Sequence, residues 1–285
     1  MEREFAVLGG DMRQVHLAEL LAEDGHQVVT WGLEKGNGIR PVPLQRALEC
    51  PVVILPLPVM RGGLLNLPLT DTVLEGEKLW PLLRFDQLLF GGQVEELSAR
   101  LMSDWGLQLL DYYRREELQV TNALLTAEGA VQYAFEATAT ALSGSRCLVI
   151  GYGRIGKLLA HRLRGMCAGV SVSARRFSDL AWIRAYGYEA LETERLAGRL
   201  GDFDLIFNTV PAPVLSRERL EELKSGCVLM ELASAPGGFD KDVARALGIR
   251  VVGAGGLPGL VAPAAAAAAV RDSIYHILEE RGGTN

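Results

Sequence analysis

The chain has 285 residues, 49% of them hydrophobic, and a formal net charge of −6. A chain of this length and apolar content can bury one or two sizeable cores, and its mild acidity argues against nucleic acid as a partner. The four cysteines show neither CxxC nor Cys/His ligand spacing, which predicts reduced core residues and no metal site; they are Cys50, Cys147, Cys167 and Cys227.

The amino terminus, MEREFAVLGG, leads almost directly into a strand and has no apolar segment of the kind that a signal peptide needs. Near the other end, the apolar segment 257–270 is too short to span a membrane and is interrupted by Pro258 and Pro263. We therefore expect a cytoplasmic protein without a membrane partner.

The amino-terminal part of the chain alternates short apolar strands with helical or loop segments, a pattern that predicts a parallel sheet. The glycine- and proline-rich interval from Pro56 to Pro68 is expected to be an irregular loop. The predicted strands are Glu4–Leu8, Gln27–Trp31, Val52–Leu55, Gln87–Phe90 and Leu107–Leu110.

A helix is predicted over Thr126–Ala141, with Thr126 as its N-cap and Gly129 early in it. We expect this helix to carry the chain into a second lobe.

The stretch Ser145–Arg176 reads as a strand, a glycine turn, a helix and a second strand in succession. The apolar strand Cys147–Ile150 leads into Gly151, Gly153 and Gly156, which have GxGxxG spacing. In dinucleotide sites the first glycine permits the tight turn, the second lets the backbone approach the pyrophosphate, and the third allows the helix to pack close to the strand. The pattern therefore predicts a dinucleotide site.

Arg154 and Ile155 open the helix that follows this turn, so they are expected to contact the cofactor. The N-terminal amides and the dipole of that helix would face the phosphates. The alternative is a glycine-rich turn in an α/β domain that binds nothing.

The second strand, Gly169–Ala174, ends where NAD enzymes usually place an Asp or Glu against the ribose 2′-hydroxyl. This chain has Ser173, Arg175 and Arg176 there instead. The absence of a carboxylate and the presence of two guanidinium groups suit a 2′-phosphate, which predicts NADP(H) as the cofactor. The alternative is a solvated basic strand end.

An internal repeat aligns Val7–Leu21 with Val149–Leu163 at a constant offset. In the first copy Asp11 and Gln14 stand where the second copy has Gly153 and Gly156. These side chains would collide with a pyrophosphate, so we expect the first lobe to bind no nucleotide.

Three later segments each change abruptly from an apolar strand to small residues and prolines. Ligands of open α/β sheets bind outside the carboxyl ends of the strands, so these segments predict a wall of the cofactor site. The segments are Asp204–Pro213, Val228–Gly238 and Val251–Pro263, and the expected contacts are Thr209, Val210, Pro211, Ala233, Ser234, Leu257 and Pro258.

A last helix is predicted from Pro263, with six alanines that allow close packing. We expect it to return to the first lobe and to form a hinge with the helix at 126–142; the alternative is that it caps the second sheet. The predicted fold is two Rossmann-like parallel-sheet lobes with a cleft between them, a substrate lobe (1–122 plus 263–285) and an NADP-binding lobe (123–262).

Seven motifs give the chain a resemblance to a known family over nearly its whole length. They are GGDMRQ (9–14), TAEGA (126–130), VIGYGRIG (149–156), SARR (173–176), NTVP (208–211), LASAPGG (232–238) and GLPGLVAP (256–263). With these motifs the chain resembles the A subunit of dipicolinate synthase, although the loop Met60–Thr72 departs from the family pattern.

The resemblance implies an NADP-dependent oxidoreductase that acts on a ring CH–CH bond. Dihydrodipicolinate, or its 4-hydroxytetrahydro precursor, would be oxidised to dipicolinate (pyridine-2,6-dicarboxylate) during sporulation. The resemblance also implies a flavoprotein-like B subunit as partner, a homo-oligomer such as a dimer, and a place in the mother cell of a spore-forming bacterium.

A substrate with two carboxylates needs cationic or amide donors and a group that accepts a proton. We expect Arg13 to bind one carboxylate and the helix amides from Thr126 to Gly129 to bind the other. Asp11 and Glu128 are the candidates for proton transfer. Asp11 could instead orient Arg13, Glu128 could instead complement a helix dipole, and water could accept the proton.

Two other functions remain open from the residues alone. Another two-lobe dehydrogenase of a small carboxylic acid would need a catalytic histidine with a carboxylate partner in the second lobe, which His161 and His276 fit poorly. A non-catalytic NADP-binding subunit would bind the cofactor without any response to a dicarboxylate.

Overall fold

The computed structural model describes residues 2–37, 39–94, 100, 102–138, 141–166, 169–253 and 255–282. The chain divides into two compact units. Unit 1 is formed by Met1–Asn122 and Ala262–Asn285, and unit 2 by Ala123–Val261.

Short strands alternate with helices along most of the chain. In chain order the strands are β1 (Glu4–Leu8), β2 (Gln27–Trp31), β3 (Val52–Ile54), β4 (Met60–Arg61), β5 (Leu64–Leu65), β6 (Leu88–Gly91), β7 (Leu109–Asp111), β8 (Arg146–Ile150), β9 (Gly169–Ala174), β10 (Glu189–Glu192), β11 (Leu205–Asn208), β12 (Val228–Glu231) and β13 (Arg250–Gly253). The α-helices are α1 (Met12–Glu23), α2 (Leu44–Ala47), α3 (Gly76–Leu79), α4 (Glu116–Ala137), α5 (Arg154–Arg164), α6 (Phe177–Ala185), α7 (Arg217–Glu221), α8 (Lys241–Ala246), α9 (Leu257–Val261) and α10 (Pro263–Gly282).

Unit 1 is built on a parallel sheet with the strand order β2-β1-β3-β6-β7. Successive side chains of a strand point to opposite faces, and both faces of β1 are covered: Phe5 and Val7 belong to one core cluster, Ala6 and Leu8 to another. All five strands predicted for this lobe form. The interval from Pro56 to Pro68 is not wholly irregular, because β4 and β5 pair in it as a short antiparallel ribbon.

The carboxy-terminal helix α10 packs against α1 in unit 1. Ala267, Val270 and Ile274 share a core cluster with Leu17 and Leu21 of α1. The alanines at the start of α10 bring the two helices close, since they carry no side chain beyond Cβ. The alternative in which this helix caps the second sheet is therefore wrong.

Unit 2 is built on a parallel sheet with the strand order β10-β9-β8-β11-β12-β13. Its central strand β8 is buried on both faces, with Cys147 and Val149 in one core cluster and Leu148 and Ile150 in the other. Strand order reverses between β8 and β11, which is the switch point of a doubly wound sheet. The predicted fold class, two Rossmann-like lobes on parallel sheets, is confirmed.

The helix predicted to begin at Thr126 begins at Glu116 instead, so the prediction of Thr126 as an N-cap is wrong. Thr126 has the side chain of a cap residue, but the preceding residues, EELQVTNALL, continue the helix upstream of it, and Glu116 and Glu117 lie in its first turn.

Three of the four cysteines, Cys50, Cys147 and Cys227, are buried as a core role requires; Cys167 lies outside the described residues. Burial raises the pKa of Cys50 to about 11 and that of Cys227 to about 12, so both thiols stay protonated at neutral pH.

Candidate functional site

The glycine turn of unit 2 joins β8 to α5. Gly151 has a φ of +101°, and a Cβ on it would lie 2.5 Å from Oγ1 of Thr209. A Cβ on Gly156 would overlap the carbonyl oxygen of Gly151. The first and third glycines are therefore required by the turn itself and by the close packing of α5 on it.

Gly153 differs from these two glycines because nothing in the protein requires it. Its φ of −79° suits any residue, and no atom lies within 4 Å of the place a Cβ would take. The backbone here is bare, and Gly153 is the N-cap of α5, whose first amides have no partner within the helix. This open cradle fits the pyrophosphate of a dinucleotide. Arg154 opens the helix, and Ile155 is half-buried against the core.

The end of β9 presents two cations. Arg175 and Arg176 are exposed, and neither guanidinium has a hydrogen bond or ion pair within the part of the chain that the structure describes. Ser173, by contrast, is fully buried and its hydroxyl accepts a hydrogen bond from Oγ1 of Thr193 at 3.2 Å. The carbonyl oxygen of Ser173 accepts a hydrogen bond from the amide of Gly151, so Ser173 helps to hold the glycine turn in place.

Two buried polar residues, Asn208 and Glu231, hold the loops after β11 and β12, and neither is among the site residues predicted from the sequence. A polar residue at the carboxyl end of each of two otherwise apolar strands was the signal that could have found them. Of the expected wall residues, Thr209 donates from Oγ1 to the carbonyl of Ile150 at 2.9 Å.

The remaining expected wall residues differ in exposure. Ser234 and Pro211 are exposed, and Val210 and Ala233 are half-buried. Leu257 and Pro258 are buried at the start of α9, where Leu257 packs on Gly129.

In unit 1, Asp11 and Arg13 form an ion pair at the start of α1. The Asp11 carboxylate caps the helix by accepting from the amide of Arg13 at 3.1 Å, and it accepts from Nε and Nη2 of the same side chain at 2.9 and 2.8 Å. Nη2 also donates to the carbonyl of Leu57 at 2.8 Å. Asp11 therefore has the geometry of a residue that orients Arg13.

Burial of this pair disfavours its charges, but the hydrogen bonds and the charge of the partner outweigh that effect. The pKa of Asp11 is lowered and that of Arg13 is raised. Nη1 of Arg13 has no partner among the described residues, and none of their buried side-chain nitrogen or oxygen atoms lacks a partner. Nη1 is therefore not fully buried, although Arg13 as a whole is only 8% exposed.

The glycine turn of unit 1 is covered by its own chain. The side chain of Leu67 lies against both Gly9 and Gly32. It is so close to Gly9 that a Cβ on this glycine would overlap it. The amide of Gly10 donates to the carbonyl of Asn66 at 2.8 Å. The loop that contains Asn66 and Leu67 therefore covers the glycine turn of unit 1, whereas the equivalent turn of unit 2 is open. This difference agrees with a first lobe that holds no nucleotide.

The residues of the TAEGA motif lie in the interior of α4 rather than at its start. The predicted carboxylate site on the amides from Thr126 to Gly129 is therefore wrong, since interior amides are bonded within the helix. Gly129 is a packing residue: a Cβ on it would lie 3.0 Å from Val261. Glu128 is exposed and pairs with Arg162, with 3.0 Å between Oε1 and Nη2.

The described residues contain neither a metal cluster nor a membrane span. No group of three or more His, Cys, Asp or Glu side chains among them is placed to hold a metal ion. None of the helices described has the length and apolar character that crossing a bilayer requires.

Residues 4–113 match the family model of the N-terminal domain of the dipicolinate synthase A subunit. Residues 108–257 match that of the D-isomer specific 2-hydroxyacid dehydrogenase NAD binding domain. The A subunit of dipicolinate synthase from Bacillus subtilis (strain 168) is 27% identical over 294 residues, which cover 97% of this chain and 96% of the relative.

Solved structures with the same fold include the A subunit of dipicolinate synthase from Bacillus halodurans, with a TM-score of 0.87 and 26% identity over 97% of each chain. The A chain of dipicolinate synthase from Bacillus subtilis gives a TM-score of 0.84 at 26% identity, covering 99% of this chain and 98% of the other. A transhydrogenase from Sinorhizobium meliloti, 18% identical with a TM-score of 0.71 over 97% of this chain and 94% of its own, shares the fold alone.

Proposed function

Since the chain belongs to the family of dipicolinate synthase A subunits and contains an NAD-binding dehydrogenase domain, we propose that it oxidises dihydrodipicolinate, or its 4-hydroxytetrahydro precursor, to dipicolinate with NADP⁺. The observation that carries the proposal is the contrast between the two glycine turns. The turn at 151–156 in unit 2 is open and suits a pyrophosphate. The turn at Gly9 and Gly10 in unit 1 is covered by a loop of the same unit, and Arg13 follows it at the start of α1.

This contrast supports a division of labour. The lobe 123–262 is proposed to bind NADP⁺, and the lobe formed by 1–122 and 263–285 to bind the substrate. Arg13 is proposed to bind one substrate carboxylate through Nη1 while Asp11 and Leu57 fix its other nitrogens. A guanidinium held in this way has lost its rotamer freedom before the substrate arrives, which favours binding.

NADP⁺, when bound, accepts the hydride that leaves the ring. The 4-hydroxytetrahydro precursor would first lose a molecule of water to give the dihydro compound. Oxidation of the dihydro compound also releases a proton, and the ring becomes an aromatic pyridine. The protein has to hold a dianionic substrate and to let that proton leave.

Glu128 is the proposed proton acceptor, and we expect Glu128→Gln to lower kcat about a hundredfold. Glu136→Gln, on the same helix and exposed, is the matched control and should leave kcat unchanged. Steady-state kinetics under saturating NADP⁺ measure the effect. If Glu128→Gln keeps a kcat close to that of the unaltered protein, Asp11 or water takes the proton instead.

Arg175 and Arg176 are proposed to bind the 2′-phosphate of NADP⁺. Arg175→Ala should weaken NADP⁺ binding about tenfold or more, because a hydrogen bond between charged groups is lost, and should leave NAD⁺ binding unchanged. Calorimetric titration with both cofactors measures this, with Arg184→Ala of α6 as a control that also removes an exposed cation. Equal weakening of both cofactors would refute the 2′-phosphate role.

We further propose that the protein is a homo-oligomer that acts with a flavoprotein-like B subunit in the cytoplasm of the mother cell of a spore-forming bacterium. The support is that its relatives from Bacillus are themselves the A subunits of a synthase. Light scattering of the protein, first by itself and then with the B subunit, tests the assembly.

The reaction is tested by a coupled assay. Aspartate semialdehyde and pyruvate are supplied with a dihydrodipicolinate-forming enzyme, NADP⁺ and this protein, and the ultraviolet absorbance of dipicolinate is followed together with that of NADPH. A non-catalytic subunit would produce neither.

A further inference from the structure

Strands β11 and β12 of unit 2 are apolar except for one buried polar residue at the carboxyl end of each. Asn208 is 0% exposed and Glu231 is 4% exposed, and the two face each other in the register of the sheet. A carboxylate so deeply buried is costly unless its oxygens are well bonded.

The Glu231 carboxylate accepts hydrogen bonds from three N–H donors. Oε1 accepts from Nδ2 of Asn208 at 2.7 Å and from the amide of Ala233 at 3.0 Å, and Oε2 accepts from the amide of Gly238 at 2.7 Å. The other bonds of Asn208 run to Val210, whose carbonyl accepts from Nδ2 at 2.9 Å and whose amide donates to Oδ1 at 3.2 Å. The pair thus ties together the two strand-end loops, 209–213 after β11 and 232–238 after β12.

At Gly237 and Gly238 the second loop passes so close over the pair that a side chain has no room. A Cβ on Gly238 would overlap the amide of Asn208, and a Cβ on Gly237 would lie 2.9 Å from Oε2 of Glu231. The APGG sequence and the buried pair therefore form one unit, in which the path of the loop depends on the carboxylate beneath it.

The position of the loops in the sheet assigns them to one half of the cofactor. A dinucleotide crosses the switch point of a doubly wound sheet, which here lies between β8 and β11. Arg175 and Arg176 at the end of β9 mark the adenosine side, so the ends of β11 and β12 lie on the nicotinamide side.

We propose that Glu231 and Asn208 are positioning residues that hold the two strand-end loops in the shape required by the nicotinamide half of the cofactor. The proposal deepens the proposed function, because it rests on the binding of a nicotinamide dinucleotide at this sheet. It assigns no proton transfer to Glu231, because the hydrogen bonds that its carboxylate accepts all come from N–H groups of the protein.

The test is calorimetric titration of Glu231→Gln with NADP⁺ and with 2′,5′-ADP, which carries only the adenosine half. An amide in place of the carboxylate turns an N–H toward at least one of the three donors and leaves that donor unpaired. We expect the Kd for NADP⁺ to rise about tenfold while the Kd for 2′,5′-ADP stays unchanged.

Glu221→Gln, which removes an exposed carboxylate of α7, is the matched control and should change neither constant. An unchanged Kd for NADP⁺, or an equal rise in both constants, would overturn the proposal. If Glu231→Gln does not fold, Glu231→Asp serves the same test, because its shorter side chain cannot reach all three donors.

The same titrations separate this proposal from the proposed function. If the chain binds NAD⁺ rather than NADP⁺, titrations with NAD⁺ and ADP replace those with NADP⁺ and 2′,5′-ADP. Glu231→Gln should then raise the Kd for NAD⁺ and leave the Kd for ADP unchanged. A failure of the coupled assay, with this contrast between whole cofactor and adenosine half intact, would count against the dipicolinate reaction and leave the positioning role standing.

Discussion

Gly153→Ala is expected to weaken cofactor binding about a thousandfold without lowering the stability of the protein. The backbone at Gly153 accepts an alanine, since φ is −79° and no atom lies within 4 Å of the added methyl group. The methyl group would occupy the space of the pyrophosphate and displace it from the first amides of α5. Loss of two hydrogen bonds to a charged phosphate corresponds to about a thousandfold in affinity.

The matched variant is Gly156→Ala, three residues further along the same helix. Its Cβ would overlap the carbonyl of Gly151, so this substitution should lower both the unfolding temperature and the affinity. Thermal unfolding and NADP⁺ titration of the two proteins measure the difference. Should Gly153→Ala bind NADP⁺ like the unaltered protein, the cofactor does not lie on this turn.

Arg13→Ala is expected to lower kcat/KM for the substrate about a thousandfold, because the substrate carboxylate that Arg13 is proposed to bind would lose its charged partner in a partly desolvated site. The affinity of the protein for NADP⁺ should not change, since every described contact of Arg13 lies in unit 1. Kinetics and cofactor titration on the same preparation measure both effects. Normal kinetics would remove Arg13 from the substrate site.

Arg13 also supports its own lobe, so loss of activity has to be separated from loss of structure. Removing it leaves the Asp11 carboxylate without its partner, which is destabilising for a partly buried pair. Arg13→Lys retains a positive charge, but its single nitrogen cannot reproduce the two hydrogen bonds to Asp11 and bind a substrate carboxylate at the same time. We expect it to fold and to remain impaired in kcat/KM with an unchanged Kd for NADP⁺.

The glycine turn and the strands around it could be predicted from the sequence because their causes are local. At Gly151 and Gly156 a side chain would clash with atoms of the same strand-turn-helix unit or of the segment after the neighbouring strand. The alternation of apolar strands with helices can likewise be recognised from short segments of the sequence. The absence of an acidic residue at positions 173–176, where β9 ends, is equally local.

Features that depend on distant residues could not be predicted in this way. Thr126 looks like a helix start within its own window, but the upstream residues extend the helix past it. Glu231 is an acidic residue in a strand, and only the fold brings Asn208 and the amide of Gly238 to it. The hydroxyl of Ser173 is directed to Thr193 of a neighbouring segment, which no motif reveals.

The coupled assay tests the central claim most directly, namely that this chain transfers hydride from a cyclic dihydro-dicarboxylate to NADP⁺. We expect dipicolinate and NADPH to appear together and in equal amounts, to depend on the protein, and to be lost in Gly153→Ala and Arg13→Ala. If neither product forms, even with the B subunit present and NADP⁺ bound, the proposed function is contradicted.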